Sequence, residues 1–259
     1  MFKPSDKIPN LALKISHHSE VVKNWLKSAA WIRKPVYGFL FWFRGNEKCE
    51  KGSRNRIEAE GASVERCHFD IHGSDNQLIF RPGCSVKDCR ITVYGDHHRL
   101  IIEEGAVLTQ SILWFEDHHT RITIGANTTM QRYGHIAVTE PYRKIEIGPD
   151  CMFSFNVDIR NGDSHTIFEQ ASGQRVNWAK NIKIGNHVWL GAHAQVMGGA
   201  DIGENSIIGL RALVNGKIPA NVIAVGSPAR VAKTGFSWDS VRWKDGDPHV
   251  PQTKSEAIG

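Results

Sequence analysis

The chain has 259 residues, of which 41% are hydrophobic and 23% charged, and its formal net charge is +5 at pH 7. A chain of this length and composition can bury a sizeable core, which excludes a mostly disordered protein. The mild basicity favours an anionic ligand, but without a block of Lys and Arg it does not indicate nucleic acid binding.

The N-terminal region, residues 1–53, combines a helical pattern with a short apolar stretch. Solenoids expose apolar core at their ends, so we predict that this region forms a helical cap. The stretch Val36–Phe43 is too short to span a bilayer, but it leaves a membrane-surface anchor as the alternative. The helical pattern follows Ser19, a residue type that suits an N-cap, and consists of Val22, Trp25, Leu26, Ala29 and Ile32.

A loose repeat follows the N-terminal region. Ile79, Ile101 and Thr123 occupy equivalent positions that lie 22 residues apart. Such self-similarity is typical of a solenoid, and the extra residues in each unit predict one corner longer than the others. We place the solenoid at residues 54–232.

Residues 161–181 interrupt this pattern. They are polar and contain glycines, and they carry no six-residue spacing, although Ile147 and Ile184 on either side are 37 residues apart. A long irregular segment on a regular scaffold is usually functional. We therefore predict that this loop carries the site.

A strict six-residue repeat begins after the loop. A period of six fits neither a helix nor a hairpin meander. It predicts short strands and bends, three to a coil, with one residue of each strand stacked inside a triangular prism. The main series is Ile184, Leu190, Val196, Ile202, Ile208, Val214 and Ala220. A second series is Val188, Ala194, Ala200, Ser206, Ala212 and Ile218.

The last segment is a C-terminal tail, residues 233–259. It contains three large aromatic residues, Phe236, Trp238 and Trp243. Aromatic side chains supply large apolar surface for packing. We predict that they pack on the last coil.

The repeat from Ile184 to Lys233 resembles the hexapeptide-repeat acyltransferases. The sequence GDSH at Gly162–His165, followed by IKIGNHVWLG at Ile182–Gly191, is similar to the pattern of bacterial capsular polysaccharide and sugar O-acetyltransferases. The resemblance implies an all-β solenoid, specifically a left-handed parallel β-helix. It also implies a homotrimer with active sites between subunits, and acetyl-CoA as the acyl donor.

The same resemblance makes His165 the general base. A neutral imidazole near pH 7 can take a proton from a hydroxyl as the oxygen attacks a thioester. Asp163 and Asp158 are candidates to orient the ring by accepting a hydrogen bond from its other nitrogen. Each is equally a residue type that forms turns, and a backbone carbonyl is a third candidate for that role.

Four further residues are candidates for the acceptor side of the site. Trp189 is predicted at an outward corner, where its ring would line the acceptor cleft and its indole N–H would hold a reacting oxygen. Packing against a trimer neighbour is the alternative role. Trp178 and Asn177 are predicted to stack on and bond to a sugar, and Asn156 resembles a family position that faces the cleft.

The donor site is expected along the later coils. Small corner residues let a pantetheine arm approach backbone amides, and fixed positive charges suit the phosphates of coenzyme A. For each basic residue, the alternative is an ordinary solvated side chain that binds no phosphate. The candidates are Gly191, Ala192, Gly209, Arg211, Lys217, Pro228, Arg230 and Lys233.

These residues predict an acetyl-CoA-dependent O-acetyltransferase that modifies a sugar hydroxyl in the biosynthesis of a capsule or another polysaccharide. No cysteine is placed by a motif for a covalent intermediate, which favours direct attack in a ternary complex. The five cysteines form no CxxC pair, so we predict a cytoplasmic protein. The N-terminal region leaves contact with the inner face of the membrane open.

Three other functions remain open. A serine acetyltransferase has the same chemistry, but its usual large helical N-terminal domain is missing here. A non-catalytic binding solenoid would need no donor. A γ-class carbonic anhydrase would need three histidines from adjacent coils around zinc. His187 and His193 fall on successive sides of one coil, so we expect no metal. The paired histidines at His97 and His118 are predicted to form an exposed ladder.

Overall fold

The computed structural model describes residues 44–241, so the predicted helical cap, the apolar stretch and Trp243 lie outside the described residues. The described part consists of short strands joined by turns. Its strands, in chain order, are β1 (Glu47–Lys51), β2 (Arg56–Glu58), β3 (Ser63–Glu65), β4 (His68–His72), β5 (Gln77–Phe80), β6 (Ser85–Lys87), β7 (Arg90–Tyr94), β8 (Arg99–Ile102), β9 (Val107–Thr109), β10 (Ile112–Phe115), β11 (Arg121–Ile124), β12 (Thr129–Met130), β13 (His135–Val138), β14 (Lys144–Ile147), β15 (Met152–Phe153), β16 (Asp158–Arg160), β17 (Ile182–Ile184), β18 (Trp189–Leu190), β19 (Gln195–Met197), β20 (Asp201–Ile202), β21 (Ile207–Ile208), β22 (Leu213–Val214), β23 (Lys217–Ile218), β24 (Val222–Val225) and β25 (Arg230–Thr234).

Every third strand pairs in parallel, which produces the three faces of a prism. Sheet A contains eight strands from β1 to β22, sheet B eight from β2 to β23, and sheet C begins at β3 and ends with β24 and β25. The chain passes from sheet A to B to C in each coil. The predicted parallel solenoid is confirmed, whereas its left-handed sense stays a prediction.

The spacing of 22 residues sets the register of the early coils, as predicted. Ile79 pairs with Ile101 in sheet B, and Ile101 pairs with Thr123. The extra residues lie at the corner between sheets A and B. Gly73 there has φ +141°, and a Cβ on it would lie 2.0 Å from the carbonyl oxygen of Gly95 in the next coil. Only glycine fits so close a stack of corners.

The interior of the prism is a single hydrophobic core. Phe69, Phe80, Phe115 and Phe153 are its largest fully buried side chains, and the rings of Phe69 and Phe80 meet edge to face at 6.1 Å. Burying each such ring stabilises the fold by about 1.5–3 kcal/mol.

Both predicted six-residue series point into this core, with one exception. The second series is buried throughout, from Val188 to Ile218. Ala220 is only half-buried, so its predicted core position is wrong. The last coil is two residues shorter, because Ile208 pairs with Ala224 rather than with a residue 18 positions later.

The boundaries of the coils also differ from the predicted range of 54–232. Strand β1 begins at Glu47 and pairs with β4, so the first coil starts before residue 54. At the other end, β25 turns back antiparallel to β24 and continues to Thr234. No helix of the described residues is long and apolar enough to cross a bilayer.

Candidate active site

The loop of residues 161–181 leaves the prism between β16 and β17, at the corner between sheets A and B. Two asparagines fix its ends to the preceding coil. The buried Asn161 accepts a hydrogen bond from the backbone N–H of Thr139 at 2.8 Å and donates to the Thr139 carbonyl at 3.0 Å. Asn181 accepts from the backbone N–H of Lys144 at 2.9 Å. The base of the loop is therefore held by the solenoid itself.

Asn177 organises the interior of the loop. Its amide N–H groups donate to the carboxylate of Asp163 at 2.9 Å and to the carbonyl of His165 at 2.7 Å. Its oxygen accepts from the backbone N–H of Ile167 at 2.8 Å and from Arg175 at 3.2 Å. An amide side chain has two donors and two acceptor positions, and these contacts use all four. Asn177 therefore braces the loop, and its hydrogen bond to a sugar stays a prediction.

A second brace runs from the loop to the preceding coil. The carboxylate of Glu140 accepts from Arg175 and from the backbone N–H of Ala179. The guanidinium of Arg175 also lies 4.3 Å from the centre of the Trp178 ring, a cation–π contact. Trp178 remains 59% exposed, and its stacking on a sugar stays a prediction.

His165 is exposed on this braced loop. Asn177 holds its backbone carbonyl, which fixes where the residue sits. Among the described residues, however, no side chain forms a hydrogen bond with the His165 imidazole. Asp163 is one of the predicted orienting residues, but its carboxylate accepts a hydrogen bond from Asn177 instead.

Asp158, the other predicted orienting residue, contacts a different histidine, His135. Its carboxylate contacts His135 Nδ1 at 2.9 Å and Arg160 at 2.8 Å. Burial opposes ionisation of Asp158, but the hydrogen bonds from His135 and Arg160 outweigh it and hold the pKa of the carboxyl below its usual value. In this structure the Asp158 carboxylate orients His135, and its role toward His165 stays a prediction.

A cleft of about 290 Å³ adjoins the loop on the outer face of sheet A. The side chains of Trp114, Glu116, His135 and Arg160 line it together with the segment Gly162–Ser164. Glu116 ties the cleft to the loop, because it accepts from Trp114 Nε1 at 2.9 Å and from Ser164 Oγ at 2.7 Å. The next residue is His165, which is not itself among the lining residues, so the candidate base is joined to the cleft through Ser164.

Trp189 lies elsewhere in the chain. It is half-buried in β18 on sheet C, not at an outward corner as predicted. Trp238 from the tail lies 6.0 Å from it, stacks on His187 at 4.1 Å and donates to the His187 carbonyl at 2.8 Å. The tail therefore packs beside a coil before the last one. Within one chain, Trp189 and the His165 loop lie on different sides of the prism.

Asn156 lies at a third position, the corner between sheets C and A. It has φ +55° and donates its backbone N–H to the Arg132 carbonyl at 3.0 Å. This corner is remote in the coil from the one that carries the loop. The structure therefore does not bring Asn156 and His165 together within one chain.

Several predicted donor residues share that corner between sheets C and A. A Cβ on Gly191 would lie 2.8 Å from the backbone nitrogen of Leu210, so the corners stack through bare backbone. Arg211 donates its backbone N–H to the Ala192 carbonyl at 3.0 Å. The turn at Pro228 returns to the same corner, where Ala229 donates to the Leu213 carbonyl at 2.7 Å. Gly209 lies there too, with its Cβ position 2.7 Å from Val225.

The predicted basic residues are spread more widely. Arg230 begins β25 opposite Val225, whereas Lys233 lies opposite Ile223 and 5.5 Å from the Phe236 ring. Lys217 begins β23 on sheet B, a different face from the others. The structure therefore joins Arg230 to the donor corner and leaves Lys217 apart.

The described cysteines and histidines bear on two alternative chemistries, a covalent intermediate and a metal site. Burial raises the pKa of the Cys151 thiol to about 11, which keeps it protonated at neutral pH. Within residues 44–241, no group of three potential ligands is placed to hold a metal ion. His97 stacks on His119 at 4.5 Å, so the predicted ladder exists but joins His119 rather than His118.

Sequence reasoning missed the residues of the cleft. Trp114, Ala137 and Arg160 stand side by side on sheet A, although they are 23 residues apart in the chain. The repeat of the early coils carries this information for outward positions as well as inward ones. The inward positions are recognisable because they are apolar. The outward residues of the cleft share no such property and were not predicted: Trp114, Glu116, His135 and Arg160.

Comparison with known proteins agrees with the repeat. Residues 181–216 match the family model described as bacterial transferase hexapeptide (six repeats). The chain is 33% identical over 119 residues to a polysialic acid O-acetyltransferase of Escherichia coli O1:K1 / APEC, which covers 46% of this chain and 38% of that protein. It is 44% identical over 78 residues to a polysialic acid O-acetyltransferase of Neisseria meningitidis, which covers 30% and 35%. The aligned parts thus span little more than a third of these relatives.

Structural similarity extends further. The solved structure of the polysialic acid O-acetyltransferase OatWY superposes with a TM-score of 0.72 at 27% sequence identity. The superposition covers 78% of this chain and 96% of that one. The likeness therefore includes the loosely repeating early coils, which the family model does not reach.

Proposed function

We propose that this chain is a hexapeptide-repeat transferase that moves an acetyl group from acetyl-CoA to a sugar hydroxyl of a polysaccharide. The observation that carries the proposal is the placement of His165. The residue stands exposed on a loop that is braced from within and anchored to the solenoid, and it directly follows Ser164, which lines a polar cleft. The named activities of the relatives support the same chemistry.

His165 acts as the general base in this proposal. It accepts the proton of the acceptor hydroxyl, whose oxygen then forms a bond to the acetyl carbonyl carbon. The bond from that carbon to the sulfur of coenzyme A breaks, and His165 returns the proton to the departing thiolate. The exposed Cys49 and the four buried cysteines are not needed, because the acetyl group passes directly to the acceptor.

Trp189 completes the site from a second copy of the chain. Its indole N–H is one donor for the negative charge that develops on the carbonyl oxygen. One chain holds Trp189 on sheet C and His165 at the opposite corner of the prism, an arrangement that favours a meeting of the two residues across subunits. We therefore propose a homotrimer whose sites lie between neighbouring chains.

The residues at the corner between sheets C and A fit acetyl-CoA, which supplies an activated acetyl group. The coils stack backbone to backbone at Gly191 and Gly209, and a pantetheine arm lying along this corner would meet peptide groups rather than bulky side chains at these two positions. Arg211 and Arg230 supply fixed charge for phosphates near the same corner. Lys217 is less suited, because it lies on sheet B.

The direct test is to incubate the pure protein with acetyl-CoA and a panel of bacterial glycans, with serine as a further acceptor, and to detect acetylated products by mass. We expect one class of glycan to gain acetyl groups and coenzyme A to be released in equal amount. Acetylation of serine alone would contradict the proposed acceptor. Absence of coenzyme A binding would contradict the transferase itself.

A further inference from the structure

The cleft on sheet A has the form of a slot for one sugar ring. Trp114, Ala137 and Arg160 occupy neighbouring strands in register. Adjacent strands lie about 4.8 Å apart, so the backbones of Trp114 and Arg160 are roughly 10 Å apart. The methyl group of Ala137 between them forms the floor, because it is the one small side chain of the three.

One wall of this slot is an aromatic face. Tyr94 packs against Trp114 from the preceding coil, with ring centres 5.6 Å apart, and His72 packs on Tyr94 at 4.8 Å. These rings form a row that leads along the solenoid axis into the slot. Flat aromatic surfaces with nearby polar groups are the usual means of holding a small polar ligand.

The charges of the slot are unbalanced. The positive charge of Arg160 is matched by Asp158, with which it forms an ion pair at 2.8 Å. Glu116 and Asp163 add two further carboxylates to the lining. Neither carboxylate has a cationic partner among residues 44–241, so the lining carries a net negative charge at neutral pH.

We propose that this slot binds an uncharged sugar unit of the acceptor, with its ring against Trp114 and its hydroxyls on Glu116, Asp163 and His135. Carboxylates accept hydrogen bonds from hydroxyl groups, whereas a carboxylated sugar would be repelled by them in a partly dehydrated cleft. The relatives named above act on polysialic acid, an acidic polymer. The inference rests on the proposed function and assigns this chain a different class of acceptor.

Binding to a glycan array in the absence of acetyl-CoA tests the slot separately from catalysis. The array carries neutral bacterial glycans, polysialic acid, and the same polymer with its carboxyl groups reduced to alcohols. We expect binding to neutral glycans, and tighter binding to the reduced polymer than to the native one, above all at low salt. An array that shows binding to acidic glycans only, or to none, overturns the proposal.

Variants assign the result to the slot. Trp114→Ala is expected to weaken neutral glycan binding at least about tenfold, and the paired change Glu116→Gln with Asp163→Asn to raise binding of native polysialic acid. Tyr133→Ala, an exposed aromatic at another corner, is the matched control and should change neither. Unchanged glycan binding in Trp114→Ala overturns the proposal. Glycan binding without acetyl transfer would instead count against the proposed function alone.

Discussion

At the residue scale, His165 is the one side chain on which the proposed chemistry depends. Replacing it with Ala removes the proton acceptor and leaves the loop braces intact, because Asn177 bonds to its backbone carbonyl. We expect the turnover number to fall about 10²–10⁴-fold while coenzyme A binding is unchanged. Turnover is measured by release of free thiol. His68→Ala, which changes a half-buried histidine of β4 in an early coil, is the control, and near wild-type turnover in His165→Ala would refute the role.

Two variants of Trp189 distinguish a role of its indole ring face from a role of its indole N–H. If the indole N–H stabilises the developing oxyanion, Trp189→Phe should lower kcat by about 10²–10³-fold, the usual cost of one lost donor. If the ring face binds the sugar, Trp189→Ala should raise the acceptor KM far more than Trp189→Phe does. We expect mainly the first effect, from steady-state kinetics of both variants. Wild-type kinetics in both, with the assembly retained, would remove Trp189 from the site.

At the scale of elements, the loop works as a braced unit. Asn177 makes four hydrogen bonds inside it, so Asn177→Ala leaves Asp163, Ile167 and the His165 carbonyl without their partner. We expect kcat to fall about tenfold or more while donor binding and the melting temperature hardly change, because the solenoid core is untouched. Limited proteolysis should cut the loop faster in the variant. Equal protease resistance with normal kcat would show that the brace is dispensable.

The strand β25 presents Arg230 and Lys233, two of the basic residues that the sequence predicts at the donor phosphates. Replacing both Arg230 and Lys233 with Ala should raise the KM for acetyl-CoA and leave the acceptor KM nearly constant. The effect should shrink as salt rises, since exposed charges are screened. Single variants distinguish the two, and we expect Arg230→Ala to carry most of the change because it lies nearer the donor corner. An unchanged donor KM at low salt would move the phosphate site to Arg211.

The elements also show how far the sequence predicts this molecule. Inward positions follow from the repeat because each must stack in one core, so Ile184 to Val214 were placed correctly. Outward positions have no such constraint. Asp158 and His165 are close in sequence, yet β16 turns Asp158 toward His135, and only the register of sheet A reveals that pair. The predicted core position of Ala220 was wrong because the last coil is two residues shorter. The regular spacing of the preceding residues does not predict this shortening.

At the scale of the whole molecule, the proposed site requires two chains. His165 projects from the corner between sheets A and B, and Trp189 lies on sheet C, so the proposed site takes the two residues from different chains. Cyclic assembly of three identical prisms would place the loop of each against sheet C of the next. We expect a particle of about three times 29.0 kDa in sedimentation. An active monomer at high dilution would contradict the shared site.

The shared site also predicts complementation between two inactive variants. Chains with His165→Ala retain Trp189, and chains with Trp189→Ala retain His165, so a mixed trimer contains some interfaces in which both residues are intact. Random mixing of equal amounts makes roughly one interface in four complete. We therefore expect co-expressed variants to recover roughly a quarter of the wild-type rate, whereas the same variants mixed after purification stay inactive until the subunits exchange. No recovery in verified mixed trimers would place both residues within one chain's own site or remove one of them from it.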